Sequence, residues 1–277
     1  MSGGLAAAAV PEKVEAAFMY QLESGTPAPV ATDMGMASEW IGGGAVLAMR
    51  RDVTEYWNKA LGFGFDEPVT AELIGRVCEF YREHDAPMAV LQLAPAVLPD
   101  DWDDIRARYG LEPGGAVVKS THDLVSIDPP KTDLRIGEVD VHSGRQWAST
   151  LLRAFGMPEE GLAEMNAAAV GSPGFRCYAA WDGDEIVAVG GAFVHGDVAE
   201  LWGGATLPSH QRRGAQSSLL AIRLLDAKAA GCRMAVVETG AEGPGERNQS
   251  FHNVMRLGFS PQYERRNWVW RPARQAR

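Results

Sequence analysis

Residues 199–220 read Ala199-Glu-Leu-Trp-Gly-Gly-Ala-Thr-Leu-Pro-Ser-His-Gln-Arg-Arg-Gly-Ala-Gln-Ser-Ser-Leu-Leu220. The stretch predicts a β-strand, a tight turn rich in Arg and Gly, and then the first turn of an amphipathic helix. That order aims several backbone N–H groups and a positive helix end at one point, which is a place to hold a diphosphate. Arg212 and Arg213 stand where the helix N-terminus already disfavours a cation. Two Arg residues there make sense if an anion regularly arrives.

Working outward, Gln216 to Ala230 carries Leu219, Leu220, Ile222, Leu224 and Leu225 at helical spacing, with Gly231 as its stop. Met234 to Glu238 reads as a strand, Gln249 to Leu257 as a helix ending in Gly258, and Asn267 to Trp270 as a last strand. Upstream, Cys177 to Trp181 and Ile186 to Val194 are strands joined by Asp182-Gly-Asp, a hairpin signal. Before them lie a strand at Leu134 to Val139 and one or two helices between Ser143 and Val170, with Pro158 opening the second.

Ser126-Ile-Asp-Pro-Pro-Lys-Thr-Asp133 interrupts the pattern and divides the chain into residues 1–125, a linker at 126–133, and residues 134–277. The first part alternates strands (Ala45 to Met49, Met88 to Leu93, Gly115 to Lys119) with helices (Val69 to Asp85, Asp100 to Tyr109). The expected class is α+β, or α/β. Ile41-Gly-Gly-Gly-Ala45 lacks the Lys-Ser or Lys-Thr of a phosphate-binding loop, and Gly62-Phe-Gly64 lacks the third Gly of a dinucleotide fingerprint. Tyr56, Trp57, Phe63 and Phe65 are candidate pocket or core residues.

With 277 residues the chain has room for two domains, and its net charge of −10 argues against a general nucleic-acid binder. Cys78, Cys177 and Cys232 form no close pair and read as buried thiols of a reducing compartment. No apolar run reaches the roughly 18 residues that span a membrane. Leu5 to Val10 is too short for a secretory signal and lacks a preceding cation. A cytoplasmic protein with no membrane or nucleic-acid partner and no metal site is expected.

Gln211-Arg212-Arg213-Gly214-Ala215-Gln216 resembles the signature of the GNAT superfamily of N-acyltransferases: Gln or Arg, two variable residues, Gly, one variable residue, then Gly or Ala. The resemblance extends over about Leu134 to Arg271. It includes Asn248-Gln-Ser-Phe-His-Asn-Val-Met-Arg-Leu-Gly-Phe259, which is similar to the family's Asn…Ser…Asn…Arg-x-Gly-Phe helix. It implies a mixed, mostly antiparallel central sheet flanked by helices, with acetyl-CoA or another acyl-CoA as cofactor. The implied cofactor residues are Ala205 and Thr206 along the pantetheine, Arg212, Arg213, Gly214, Ala215, Gln216 and Ser217 at the diphosphate, and Asn248 and Ser250 beside the arm. For Asn248 and Ser250 the plain alternative is helix capping. Gln216 departs from the family, where a small residue is usual.

The resemblance also implies that the strand at 199–207 splays from the strand at 234–238, with Gly203-Gly204 as a bulge. Glu200 is the implied catalytic base, eleven residues before Gln211, on the face shared with Trp202, and Glu238 is the reserve. Val254 stands where many members carry a proton-donating Tyr. His210 and His252 read as surface or helix-packing residues. The first part looks like a degenerate GNAT module of a tandem protein, forming one wall of the acceptor pocket. The acceptor is expected to be a small-molecule amine. The alternatives are a carrier-protein acyl donor, served by a basic patch at Arg265, Arg266 and Arg271, or a non-catalytic acyl-CoA sensor. The sequence specifies neither the acceptor nor the oligomeric state.

Overall fold

A computed structural model describes residues 2–128 and 131–272, so Pro129 and Pro130 of the expected linker, and residues 273–277, lie outside the described residues. The chain divides into two compact units: Met1–Ser24, Ala28–Val117 and Tyr263–Arg277 form the first, and Gly25–Pro27 with Val118–Gln262 the second. Residues 126–133 fall inside the second unit.

Unit 1 contains α1 (Ser2–Ser24), α2 (Ala28–Met34), β1 (Met36–Ile41), β2 (Gly44–Met49), β3 (Lys59–Leu61), α3 (Ala71–Glu83), β4 (Ala89–Gln92) and α4 (Trp102–Tyr109). β5 (Glu112–His122) then passes into unit 2 at Val118. Thr70 caps α3 by accepting from the Leu73 N–H, as its hydroxyl side chain favours. Leu73, Val77, Phe80 and Tyr81 are buried as their spacing predicts. Trp57 and Phe63 are core residues and Phe65 packs against the core, whereas Tyr56 is exposed and carries the Lys59 ammonium 3.6 Å from its ring centroid.

Unit 2 continues with β6 (Arg135–Glu138), α5 (Gly144–Phe155), α6 (Leu162–Ala168), β7 (Phe175–Asp182), β8 (Glu185–His195), β9 (Val198–Thr206), α7 (Ala215–Ala229), β10 (Met234–Gly240) and α8 (Gln249–Arg256). β11 (Ser260–Trp270) starts here and belongs to unit 1 from Tyr263 onward, where Asn267 to Trp270 pair antiparallel with β4. Pro158 does not open the second helix. Gly161, at φ +71°, interrupts helical geometry, and α6 starts after it.

The unit 2 strands run β5-β10-β9-β8-β7-β6, with β9 and β10 parallel and β6 to β9 antiparallel. The sheet is mixed and mostly antiparallel, as expected. Ala199 and Leu201 of β9 share a core with Leu219, Leu220 and Leu224 of α7. Trp202 points the other way, edge-on to Trp147 of α5, whose indole N–H donates to the Tyr178 carbonyl. Period-two alternation thus gives β9 one face against α7 and one bearing Glu200 and Trp202.

Arg265 is fully buried and pairs with Glu12 and Glu15 of α1. Arg266 donates to the Gly114 carbonyl and Arg271 reaches Glu55. The exposed basic patch of Arg265, Arg266 and Arg271 that the carrier-protein alternative invokes is therefore not formed, because Arg265 is an interior ion-pair residue of unit 1 rather than a solvated charge. All three cysteines are buried, and burial pushes the Cys78 thiol up to about 12, away from nucleophilic use. Among the described residues no helix is long and apolar enough to cross a membrane.

Candidate functional site

The site begins with a fault in β9. Gly191 of β8 faces Trp202, and two residues earlier Val189 faces Ala205, so β9 carries one extra residue between them. Gly203 takes the left-handed φ of +62° that such a bulge requires. On the other side, β9 pairs with β10 only from Val198↔Met234 to Leu201↔Val237, although both strands continue. The parallel ladder thus ends at Leu201↔Val237, in line with the expected splay.

After β9 a short turn at Pro208–His210 leads to the loop before α7. Arg212 adopts φ +65° and Gly214 +80°, a double turn that reverses the chain into the helix. Gly214 occupies the cap position of α7 with no side-chain cap among the described residues. The first-turn N–H groups therefore keep their donors directed out of the helix. A cavity of about 780 Å³ opens there, within the range of small-molecule sites. Ala205, Thr206, Arg212, Gly214, Ala215, Gln216, Ser217 and Ser250 all line it. Sequence reasoning missed Phe155 at the end of α5 and Arg256 of α8, which line it too. Arg256 could have been suspected from the Arg-x-Gly-Phe match that contains it.

Two expected residues point elsewhere. Arg213 binds Asp133 and Asp182, which hold its proton firmly and in turn are held ionised by it. Its carbonyl accepts from the Thr132 hydroxyl at 2.7 Å. Asn248 caps α8: its Oδ1 accepts from the Ser250 and Phe251 N–H groups, and its Nδ2 donates to the Gly240 carbonyl. Its amide thereby joins β10 to α8. Gln216 swings back to β9 and donates to the Thr206 hydroxyl at 2.9 Å.

Glu200 is buried at 3% exposure, opposite Phe193 of β8 and Val236 of β10. By alternation Glu238 lies on that same face of β10, one step further along. Its carboxylate is 3.3 Å from the ammonium of the fully buried Lys119. That ion pair was not legible in the sequence, where Lys119 was merely the end of a strand. His210 sits 3.3 Å from Asp182 and touches Ser209, and His252 lies 3.0 Å from Glu242. Val254 of α8 is a buried core residue, in the cluster that also holds Leu219, Leu220 and Leu224 of α7.

Residues 144–259 match the family model described as acetyltransferase (GNAT) family. This region is a GNAT acetyltransferase domain. No curated protein matches the chain. Solved GNAT structures share its fold. The GCN5-related N-acetyltransferase of Kribbella flavida aligns over 89% of this chain and 94% of its own, with TM-score 0.60 and 13% identity. One from Sphaerobacter thermophilus covers 84% and 82%, with TM-score 0.59 and 14% identity. A tandem GNAT protein from the clavulanic acid biosynthesis pathway covers 84% and 80%, with TM-score 0.54 and 15% identity. At such identities the likeness is one of fold, and the chemistry of the GNAT domain rests on its own residues.

Proposed function

We propose that the protein transfers an acyl group, acetyl in the first instance, from coenzyme A to the amine of a small molecule. The observation that carries this is the start of α7: its N-cap is Gly214, which offers no side-chain cap, and Ala215, Gln216 and Ser217 of its first turn line the cavity with Gly204 and Ala205 of β9. The residues present suit such a cofactor. The helix end and Arg212 would hold the diphosphate, Ala205 and Thr206 would run along the pantetheine, and Ser250 would flank it. Bound there, coenzyme A supplies the acyl group as a thioester, whose thiol has a pKa near that of free Cys, about 8.5, and leaves with little help.

The chain's own part is then positioning and proton removal. A main-chain N–H at the bulge polarises the acyl carbonyl, an effect often worth a few kcal/mol. An attacking amine must be neutral, whereas alkyl amines are largely protonated at pH 7. Glu200 takes that proton, with Glu238 in reserve through water. The capture of Arg213 by two aspartates favours one second reading, a donor carried on a protein's phosphopantetheine, which needs less cationic grip. Unit 1 lacks an Arg-Gly turn, so we assign it no coenzyme of its own.

Calorimetry with acetyl-CoA, followed by thiol release against a panel of amines, tests the reading. One coenzyme bound per chain and amine-dependent thiol release are expected. Absence of coenzyme binding would reject it, and binding without turnover on any amine would favour a sensor. Turnover only with a carrier-bound thioester would favour the second reading.

A further inference from the structure

Arg223 of α7 is 2% exposed, and no carboxylate pairs with it among the described residues. Burying a cation is costly, and burial holds this guanidinium down at about 10, still charged at neutral pH. Its contacts all lie at the bulge or its own helix. Nε donates to the Leu219 carbonyl at 2.9 Å, and one terminal nitrogen donates to both the Gly191 carbonyl at 3.0 Å and the Trp202 carbonyl at 3.2 Å. Gly191 and Trp202 are the last regular pair before the fault. A bulge disrupts the ladder and leaves nearby carbonyls in need of donors. The guanidinium, all donor and no acceptor, supplies them.

The surroundings are shaped for it. A Cβ on Gly190 would sit 2.8 Å from the guanidinium carbon, so β8 admits the head group only because that residue is glycine. The second terminal nitrogen comes within 3.6 Å of where a Gly204 Cβ would stand. Gly204 lines the cavity. One side chain therefore joins the helix that starts at the diphosphate turn to the strand segment that faces the acyl end.

We infer that Arg223 is a positioning residue: it clamps the β9 bulge from behind and fixes the direction in which Gly204 and Ala205 present main-chain groups to the cavity. The inference rests on the acyl-transfer reading for its consequence in turnover, but not for the clamp itself. A main-chain donor aimed at a developing charge works only if it is held in place, and a displacement of about 1 Å can cost on the order of 100-fold in rate.

The test compares Arg223→Met, Arg223→Lys and Gly190→Ala in the full chain. Arg223→Met should lower kcat roughly 100-fold while affinity for free coenzyme A stays within about twofold. Arg223→Lys should recover most of the loss, because both bulge carbonyls converge on one nitrogen that an ammonium can replace. Without any ligand, amide hydrogen exchange at Gly203 to Ala205 should quicken in the Met variant while β7 and α7 stay protected. Gly190→Ala keeps the Arg but crowds it, and should reproduce the Met phenotype even if the Met variant fails to fold. Wild-type turnover in Gly190→Ala would overturn the inference. So would a Met variant in which kcat, coenzyme affinity and exchange protection throughout α7 all fall together. If the wild type binds no coenzyme, the proposed function fails, and the exchange pattern alone decides the clamp.

Discussion

Gly214 and Lys131 meet backbone to backbone: a Cβ built on Gly214 would lie 2.6 Å from the Lys131 carbonyl oxygen. The Lys131 N–H is meanwhile fixed by the Ser218 hydroxyl at 3.1 Å, and Thr132 holds the Arg213 carbonyl. The turn proposed to take the diphosphate is thus moulded against residues 131–132 as well as by its own left-handed glycine. Gly214→Val should strain both features at a cost of about 1–3 kcal/mol. Acetyl-CoA affinity should fall roughly tenfold or more. Calorimetry showing unchanged affinity would contradict the placement of the grip.

The two neighbouring arginines should behave differently. Arg212 lines the cavity, and Arg213 is committed to Asp133 and Asp182. Arg212→Ala should weaken coenzyme binding roughly tenfold, the size of a charge-assisted hydrogen bond reduced by solvent. Arg213→Ala should change it by less than about threefold, since exposed ion pairs contribute little. Equal losses in both variants would refute this division of labour.

Removing the proposed base should separate binding from chemistry. Glu200→Gln keeps size and hydrogen-bonding capacity at a position that is 3% exposed, but it cannot accept a proton. Thiol release should drop by about 10²–10⁴-fold with coenzyme affinity preserved. A Glu238→Gln variant measured beside it shows which carboxylate acts: if only Glu238→Gln loses turnover, the base is the one held by Lys119.

Much of this was legible because local patterns and tertiary roles agreed. In β9 the doubled glycine marks the bulge, and the Leu-rich stretch of α7 marks its buried face. Unit 1 was harder to read. Of the α1 face that packs inward, Glu12, Glu15 and Glu23 are buried beside Val14, Met19 and Leu22. Carboxylates at core-facing positions erase the apolar period that reveals a helix, and Arg265, the partner of Glu12 and Glu15, lies some 250 residues away. β11 was read only at its end because Ser260 to Arg266 is largely polar, and its pairing with β4 spans a separation of 175 residues. Arg213 and Asn248 look the same in sequence whether they hold a ligand or their own chain. Only packing separates the two.

Gln216 offers a graded test of the family departure. Its side chain bridges α7 to Thr206, and its Oε1 lies 3.0 Å from where a Gly204 Cβ would stand. Gln216→Ala removes one partly buried hydrogen bond and should cost about 1 kcal/mol of stability in thermal unfolding. Coenzyme affinity should be retained, because the proposed grip uses main-chain N–H groups that the substitution leaves in place. Loss of binding would mean that the Gln amide itself contacts the ligand.

His122 links the end of β5 to the last turn of unit 2. Its Nδ1 accepts from the Leu124 N–H at 2.8 Å, which only an unprotonated nitrogen can do. Its ring lies edge-on to Phe259, with centroids 5.2 Å apart. Burial lowers its pKa below the usual 6.5, against the opposing pull of Asp123 and a backbone hydrogen bond at Leu257. The folded protein therefore binds this proton less readily than the unfolded chain. Its contribution to stability is complete above pH 6.5 and is lost as pH falls from there toward the folded value. Thermal unfolding between pH 7.5 and 5 should show a falling midpoint in the wild type. Compared at each pH, His122→Gln should be less stable near neutrality yet lose less on acidification. A wild type and variant that decline in parallel would show that another group governs the acid limb.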